Sequence, residues 1–339
     1  MAFLIALRSR LMTLRMLFSR SAKKARGARL ASAATHTAGP GPRFMAKSAL
    51  HRGKTGMLTM VAMAADALGR TLAEDFRRTF GSVNLEHAER LDAISRVALE
   101  CIGRSDALYH SVEHTFLVTL VGRDILHGRM LTERIEPEDY AHLIVACLLH
   151  DIGYVRGVLR GDGENSFIVN KEGKAVSLAR GASDAALTPY HVERSKIFAR
   201  ERLARSAALD AERVARAIEF TRFPCNRVPN GTDEEREGRL VQAADLIGQL
   251  GDPLYPKKAN ALFQEFEEVG INRQLGYETP ADLVERYPDF YWNGVSPHLT
   301  EAISYLNVTT RGRQWVANLH SHVFCAEHHY ALMGPQRCE

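Results

Sequence analysis

The chain has 339 residues, enough for one large domain or two ordinary ones. Its net charge of +4 hides an asymmetry. The first 65 residues carry 12 Lys/Arg and no acid, so the rest sets 32 basic against 40 acidic side chains, a balance of −8. A folded body of that sign argues against a nucleic acid polymer as the main partner. Five scattered cysteines, with no Cys-x-x-Cys pair, suit a reduced intracellular compartment. No run approaches the ~18–20 apolar residues needed to span a bilayer, so a soluble protein with no membrane partner is expected.

Residues 1–57 form a basic extension rich in Arg, Ala and Ser. That is the composition of a mitochondrial or plastid transit peptide. A later start at Met45, Met57 or Met60 would instead leave a cytoplasmic protein without it. A genuine basic arm is the third reading, and on all three the extension lies outside the fold. From Gly56 the pattern turns helical, with little of the alternation expected of strands. Leu85–Ile102 is amphipathic, with Leu85, Leu91, Ile94, Val97, Ala98 and Cys101 on one face. A second long helix is predicted over 107–128.

Glu136, Pro137 and Asp139 then make a helix start, leading into Tyr140–Ile152. Gly153 to Pro189 is rich in Gly, Asp, Asn and Ser and reads as a functional loop with a short hairpin around Asn170–Gly173. Further helices are predicted at 190–203, 210–220, 234–250 and 260–269, and through an aromatic tail from Tyr287 to Tyr330, where Phe290, Tyr291, Trp292 and Trp315 are expected to pack the bundle. The reading is one all-α domain over residues 58–332, a helical bundle with a metal site between helices, followed by a tail at 333–339.

Within that bundle the histidines and acids are placed unevenly. His110 and His114, four apart, would share a helical face with Leu117, Val118, Val121 and Ile125. Either one alone could be a core histidine. His150 and Asp151 stand at the end of the uniformly apolar Leu143–Leu149, where an unpaired carboxylate would be costly and a metal ion would offset the cost. Gly153 would let the chain turn. Asp245 is the only charge in Leu240–Ile247, with Gly248 expected to leave room above a site. His114, His150, Asp151 and Asp245 thus offer two nitrogens and two carboxylates, a mixture suited to Zn, Mn, Fe or Mg with open positions.

This His…His-Asp…Asp order resembles the HD superfamily of metal-dependent phosphohydrolases over about residues 105–250. The segment Tyr109-His110-Ser111-Val112-Glu113-His114-Thr115 is also similar to a signature of the cyclic nucleotide phosphodiesterases, although Tyr154 stands where those enzymes carry a further histidine. The resemblance implies hydrolysis of a phosphoester, such as a nucleotide or small phosphorylated metabolite, with a cyclic phosphodiester among the candidates. His114, His150, Asp151 and Asp245 would hold the metal, which would polarise a phosphoryl oxygen and lower the pKa of bound water to about 7. Asp151 would orient that water or take its proton, and His110 would protonate the leaving oxygen.

His191 is a candidate for a second metal or for phosphate, and Arg156 for phosphate, with Arg160 and Arg222 behind it. The tail histidines His320, His322, His328 and His329 resemble a metal patch but lack carboxylate or thiol partners beyond Cys325 and Glu327. A di-iron oxygenase of HD type and a non-catalytic, metal-stabilised nucleotide-binding module are the alternatives. Self-association into a homo-oligomer is left open.

Overall fold

A computed structural model of the chain describes residues 59–82, 84–224, 232–328 and 334–335. The basic extension and most of the short tail therefore lie outside the described residues. From Met60 onward the chain forms one unit. The expected all-α class holds. Helices dominate, and the strands are β1 (Phe167–Ile168) and β2 (Ala175–Val176), two residues each.

Helices α1 (Met60–Phe80) and α2 (Leu85–Ile102) pair through Leu68, Leu72 and Phe76 on one and Ala88, Leu91, Ala98 and Leu99 on the other. They lean on a central layer of α3 (Val112–Arg129) and α4 (Pro137–Leu149). The start of α4 is the one the sequence announces. Pro137 lies in the first turn, and the side chains of Glu136 and Asp139 form a reciprocal capping box. Every residue from Tyr140 to Leu149 is buried, so α4 runs through the middle of the molecule.

Helix α5 (His191–Leu203) packs on α6 (Ala211–Ile218) and on the turn that follows α4, α6 packs on α4, and α7 (Asp233–Leu250) lies against α3, α4 and α6. Then follow α8 (Tyr255–Glu268), the short α9 (Ile271–Leu275), α10 (Pro280–Glu285) and α11 (Tyr287–Phe290), and the paired α12 (Ser296–Leu306) and α13 (Thr310–Glu327). A π-helical turn at Tyr291–Val295 joins α11 to α12. Of the tail aromatics, Tyr291 is buried and Trp315 donates its Nε1–H to Asp124 Oδ2 at 2.9 Å. Trp292 does not pack into the bundle as expected; it is 49 % exposed.

Between α4 and α5 the expected hairpin is present. Phe167 stands opposite Val176 and Ile168 opposite Ala175, antiparallel, around a turn in which Gly173 has φ 79°. The surrounding loop is fixed by a buried arginine. Arg194 donates to the carbonyls of Gly153 (2.7 Å), Val155 (2.9 Å) and Ile168 (2.6 Å) and pairs with the Asp162 carboxylate at 2.9–3.0 Å. Five bonds from one guanidinium satisfy loop carbonyls that would otherwise be buried and unpaired. The stretch leaving the His150–Asp151 pair is thereby tied to α5.

Candidate metal centre

His114 sits in the first turn of α3 and is 4 % exposed, but His110 is not on that helix. The predicted helix from residue 107 is corrected here: α3 begins at Val112, and residues 105–111 run irregularly. The cause is Glu265, on α8. Its Oε1 accepts the backbone N–H of Tyr109 at 2.6 Å and of His110 at 3.2 Å, and its Oε2 lies 2.5 Å from His110 Nδ1. Two successive N–H groups turned toward a side-chain anion set the backbone in this pre-helical bend. His110 and His114 still approach each other, with ring centroids 5.5 Å apart, but by a bend rather than along one helical face.

His150 caps the C-terminus of α4 and is fully buried. Its Nδ1 lies 2.8 Å from the Cys147 carbonyl, so the Nδ1–H donates there and leaves Nε2 free. Asp151 follows in the turn, 3 % exposed. Asp245 comes from the middle of α7 with its side chain 20 % exposed, on the open side of the cluster.

The four groups converge. His114 Nε2 is 3.2 Å from Asp245 Oδ1, 3.3 Å from Asp151 Oδ2 and 3.4 Å from His150 Nε2. His150 Nε2 is 3.0 Å from Asp151 Oδ2 and 3.5 Å from Asp245 Oδ1. Among the described residues, His114, His150 and Asp245 each offer a ligand atom within 4.8 Å of the other two. Asp151 closes on the histidine side.

These separations suit a shared ion. Two atoms each about 2.1 Å from one metal lie roughly 3.0–3.4 Å apart at octahedral to tetrahedral angles. Asp151 Oδ2 is buried in the middle of the cluster with only the imidazole nitrogens of His150 and His114 beside it. A buried anionic oxygen in that state calls for a cation. The residues present therefore fit a divalent metal.

Electrostatics agrees. Burial opposes a charge on His150, yet the Asp151 and Asp245 carboxylates outweigh it and hold the imidazole well above its ordinary range. Burial would raise both carboxyls, but the neighbouring imidazoles, His150 foremost, hold Asp151 and Asp245 well below theirs. Without metal, protons supply the positive charge that the carboxylates demand.

His191, at the start of α5, also faces the cluster. Its Nδ1–H donates to the Thr188 carbonyl (2.6 Å), and its Nε2 lies 3.8 Å from Asp151 Oδ1, the oxygen pointing away from His150. Burial pushes His191 down to about 4, against the pull of Asp151. Tyr154 is stacked between His110 (centroids 4.4 Å apart) and His191 (4.5 Å). Its hydroxyl lies 3.5 Å from His110 Nε2. Burial opposes a charge on His110, but Glu265 and Asp151 carry it up to about 9.

Both glycines singled out from the sequence act by close approach. A Cβ on Gly153 would lie 2.0 Å from the His191 carbonyl oxygen and 2.7 Å from the Ser195 nitrogen, so its bareness lets α5 bring His191 close to the turn that follows α4. A Cβ on Gly248 would lie 2.7–2.9 Å from Val118. The gap is thus filled by α3, not left above the site as expected.

The arginines fall elsewhere. Arg156 is held by Asp184, by Asp106 Oδ2 at 2.6 Å and by the Ala182 carbonyl at 3.2 Å, and none of these partners is a residue of the cluster. Arg160 bonds the Glu201 carbonyl, and Arg222 pairs with Glu219. In the tail, His320 Nε2 meets the Tyr291 hydroxyl while His322 Nε2 meets the Asp252 carbonyl, so these two do not form one metal patch; His329 lies outside the described residues.

Glu265 and Arg194 are the residues that sequence reasoning missed. Glu265 gives little signal, because Glu267 and Glu268 follow it and the run looks like a solvated face.

A family model described as Npun_R2479-like matches residues 58–329. The chain belongs to the Npun_R2479-like family. The matched segment contains the whole cluster, with His110, His191 and Glu265. No curated protein and no solved structure matches the chain.

Proposed function

We propose that this member of the Npun_R2479-like family is a metal-dependent phosphohydrolase of the HD type, acting on a small phosphoester such as a nucleotide. The observation that carries the reading is the buried convergence of His114, His150, Asp151 and Asp245, with distances of 3.0–3.5 Å between their ligand atoms. These four residues would hold the ion. When bound, a divalent metal supplies Lewis-acid polarisation of a phosphoryl oxygen and makes water a competent nucleophile near neutral pH.

The chain's own groups supply the proton traffic. Asp151 turns Oδ2 into the cluster and Oδ1 outward toward His191, so it can orient an attacking water and take its proton. His110, its Nδ1 held by Glu265, presents Nε2 to the site. The Glu265 carboxylate favours the charged form of this imidazole, which suits it to protonate a leaving oxygen. The stacked ring of Tyr154 keeps that imidazole from rotating away.

His191 beside Asp151 Oδ1 favours room for a second ion, and so also supports a di-iron oxygenase as the second reading. One experiment separates the two. Purified protein is analysed for metal, then assayed against a phosphoester panel with Mn, Mg and Zn, in air and anaerobically. The phosphohydrolase reading predicts hydrolysis that is indifferent to oxygen. Bound iron with oxygen-dependent turnover and no ester hydrolysis would replace it with the oxygenase.

A further inference from the structure

Gln242 stands on α7 three residues before Asp245 and four after Gly238. Helical geometry sets the three within about 60° of one another around the axis and spreads them over about 10 Å. At one end the Phe220 ring lies directly on Gly238, where an added Cβ would come within 2.1 Å of it. At the other end the Asp245 carboxylate joins the metal cluster. Gln242 stands between them along that face of α7; it is 3 % exposed, and its amide Nε2 has no hydrogen-bond partner. Buried polar groups are almost always paired, so an unpaired amide nitrogen on a residue one helical turn from Asp245 is unusual. An apolar side chain of equal length would fill the position without that cost.

We infer that Gln242 is a ligand-binding residue, whose carboxamide hydrogen-bonds the neutral organic part of the substrate next to its phosphoryl group. The inference rests on the phosphohydrolase reading and names a recognition element within it. The chemistry follows from the group. A carboxamide carries no charge and sets a donor beside an acceptor, so it matches a neutral partner with the same pair: an amide, a diol or the edge of a heterocycle. The charge of the phosphoryl group is matched by the metal and needs no help from an amide.

The test uses full-length, manganese-loaded wild type, Gln242→Leu and Gln242→Met. The substrate is the panel phosphoester that the wild type hydrolyses best, with inorganic phosphate as competitor. We expect equal metal content, a melting temperature no lower than wild type, KM raised about tenfold with kcat within about twofold, and an unchanged inhibition constant for phosphate. Unchanged KM would overturn the assignment. So would a parallel loss of phosphate affinity, which puts the contact on the phosphoryl group. A lowered melting temperature in both variants with normal KM would make the amide an internal structural group, also overturning it. If the wild type hydrolyses no ester, the phosphohydrolase reading fails by itself. Melting then still decides whether the amide is internally engaged: a fall in both variants overturns the inference, and no fall supports an amide left open for a ligand.

Discussion

His110 meets the cluster through Nε2 because Glu265 holds its Nδ1 and, with the same carboxylate, the backbone N–H groups of residues 109 and 110. One side chain thus sets the bend, the tautomer and the charge of the proposed acid. Glu265→Gln keeps the size of the group and removes the charge that supports the imidazolium. A general acid works only while protonated, so activity is lost as pH rises through its pKa. The variant should therefore lose activity at lower pH than wild type, its alkaline limb moving down from about 9, with metal content unchanged. A pH–kcat profile reads this directly. His110→Ala should lower kcat by about 10²- to 10⁴-fold, with a smaller deficit for p-nitrophenolate leaving groups, which need no proton. An equal loss for all leaving groups would assign His110 to positioning.

At the scale of elements, the cluster depends on how tightly α5 closes on the turn after α4. Gly153 has no room for a methyl group against the His191 carbonyl and the Ser195 nitrogen. Gly153→Ala should therefore destabilise the protein by about 3 kcal/mol and loosen its hold on metal, as read from denaturant unfolding with and without manganese. Arg194→Met should do comparable damage by freeing three carbonyls and Asp162.

The same elements show what a sequence can and cannot convey. The helices at 85–102, 137–149 and 233–250 were legible because apolar periodicity and the Glu136–Asp139 box are local signals. That these histidines and acids belong together was legible because a carboxylate at the end of a buried helix, or alone in an apolar run, demands a partner. The start of α3 was not, since the residue that bends the chain at His110 lies 155 positions away. Nor was the role of Gly248, which depends on where α3 crosses α7. Arg156 pairs with Asp184 and Asp106, which a loop brings to it along a path that the sequence does not reveal.

At the scale of the whole molecule, the described residues contain no helix long and apolar enough to cross a membrane. Their stability is tied to the cluster. In metal-free protein His150 and His110 have raised pKa values, so their contribution is complete below about 6.5 and is lost as pH rises through the folded values. Asp151 and Asp245 are depressed, so theirs is complete above about 4 and is lost on acidification. The metal-free protein should then be best served by the cluster between those limits. Binding a metal displaces protons from the histidines, so the rise in melting temperature on adding manganese should grow from pH 6 to 8.5. A rise independent of pH would mean that the ion binds elsewhere.

The central claim is that His114, His150, Asp151 and Asp245 hold a divalent metal, and metal content measured on wild type and Asp245→Asn tests it most directly. After exhaustive dialysis the wild type should retain at least one divalent metal ion per chain. The variant, with one carboxylate made neutral at the open side of the cluster, should retain much less and melt at a lower temperature. A wild type that binds no ion, or an Asp245→Asn protein with full occupancy and unchanged melting, would contradict the account.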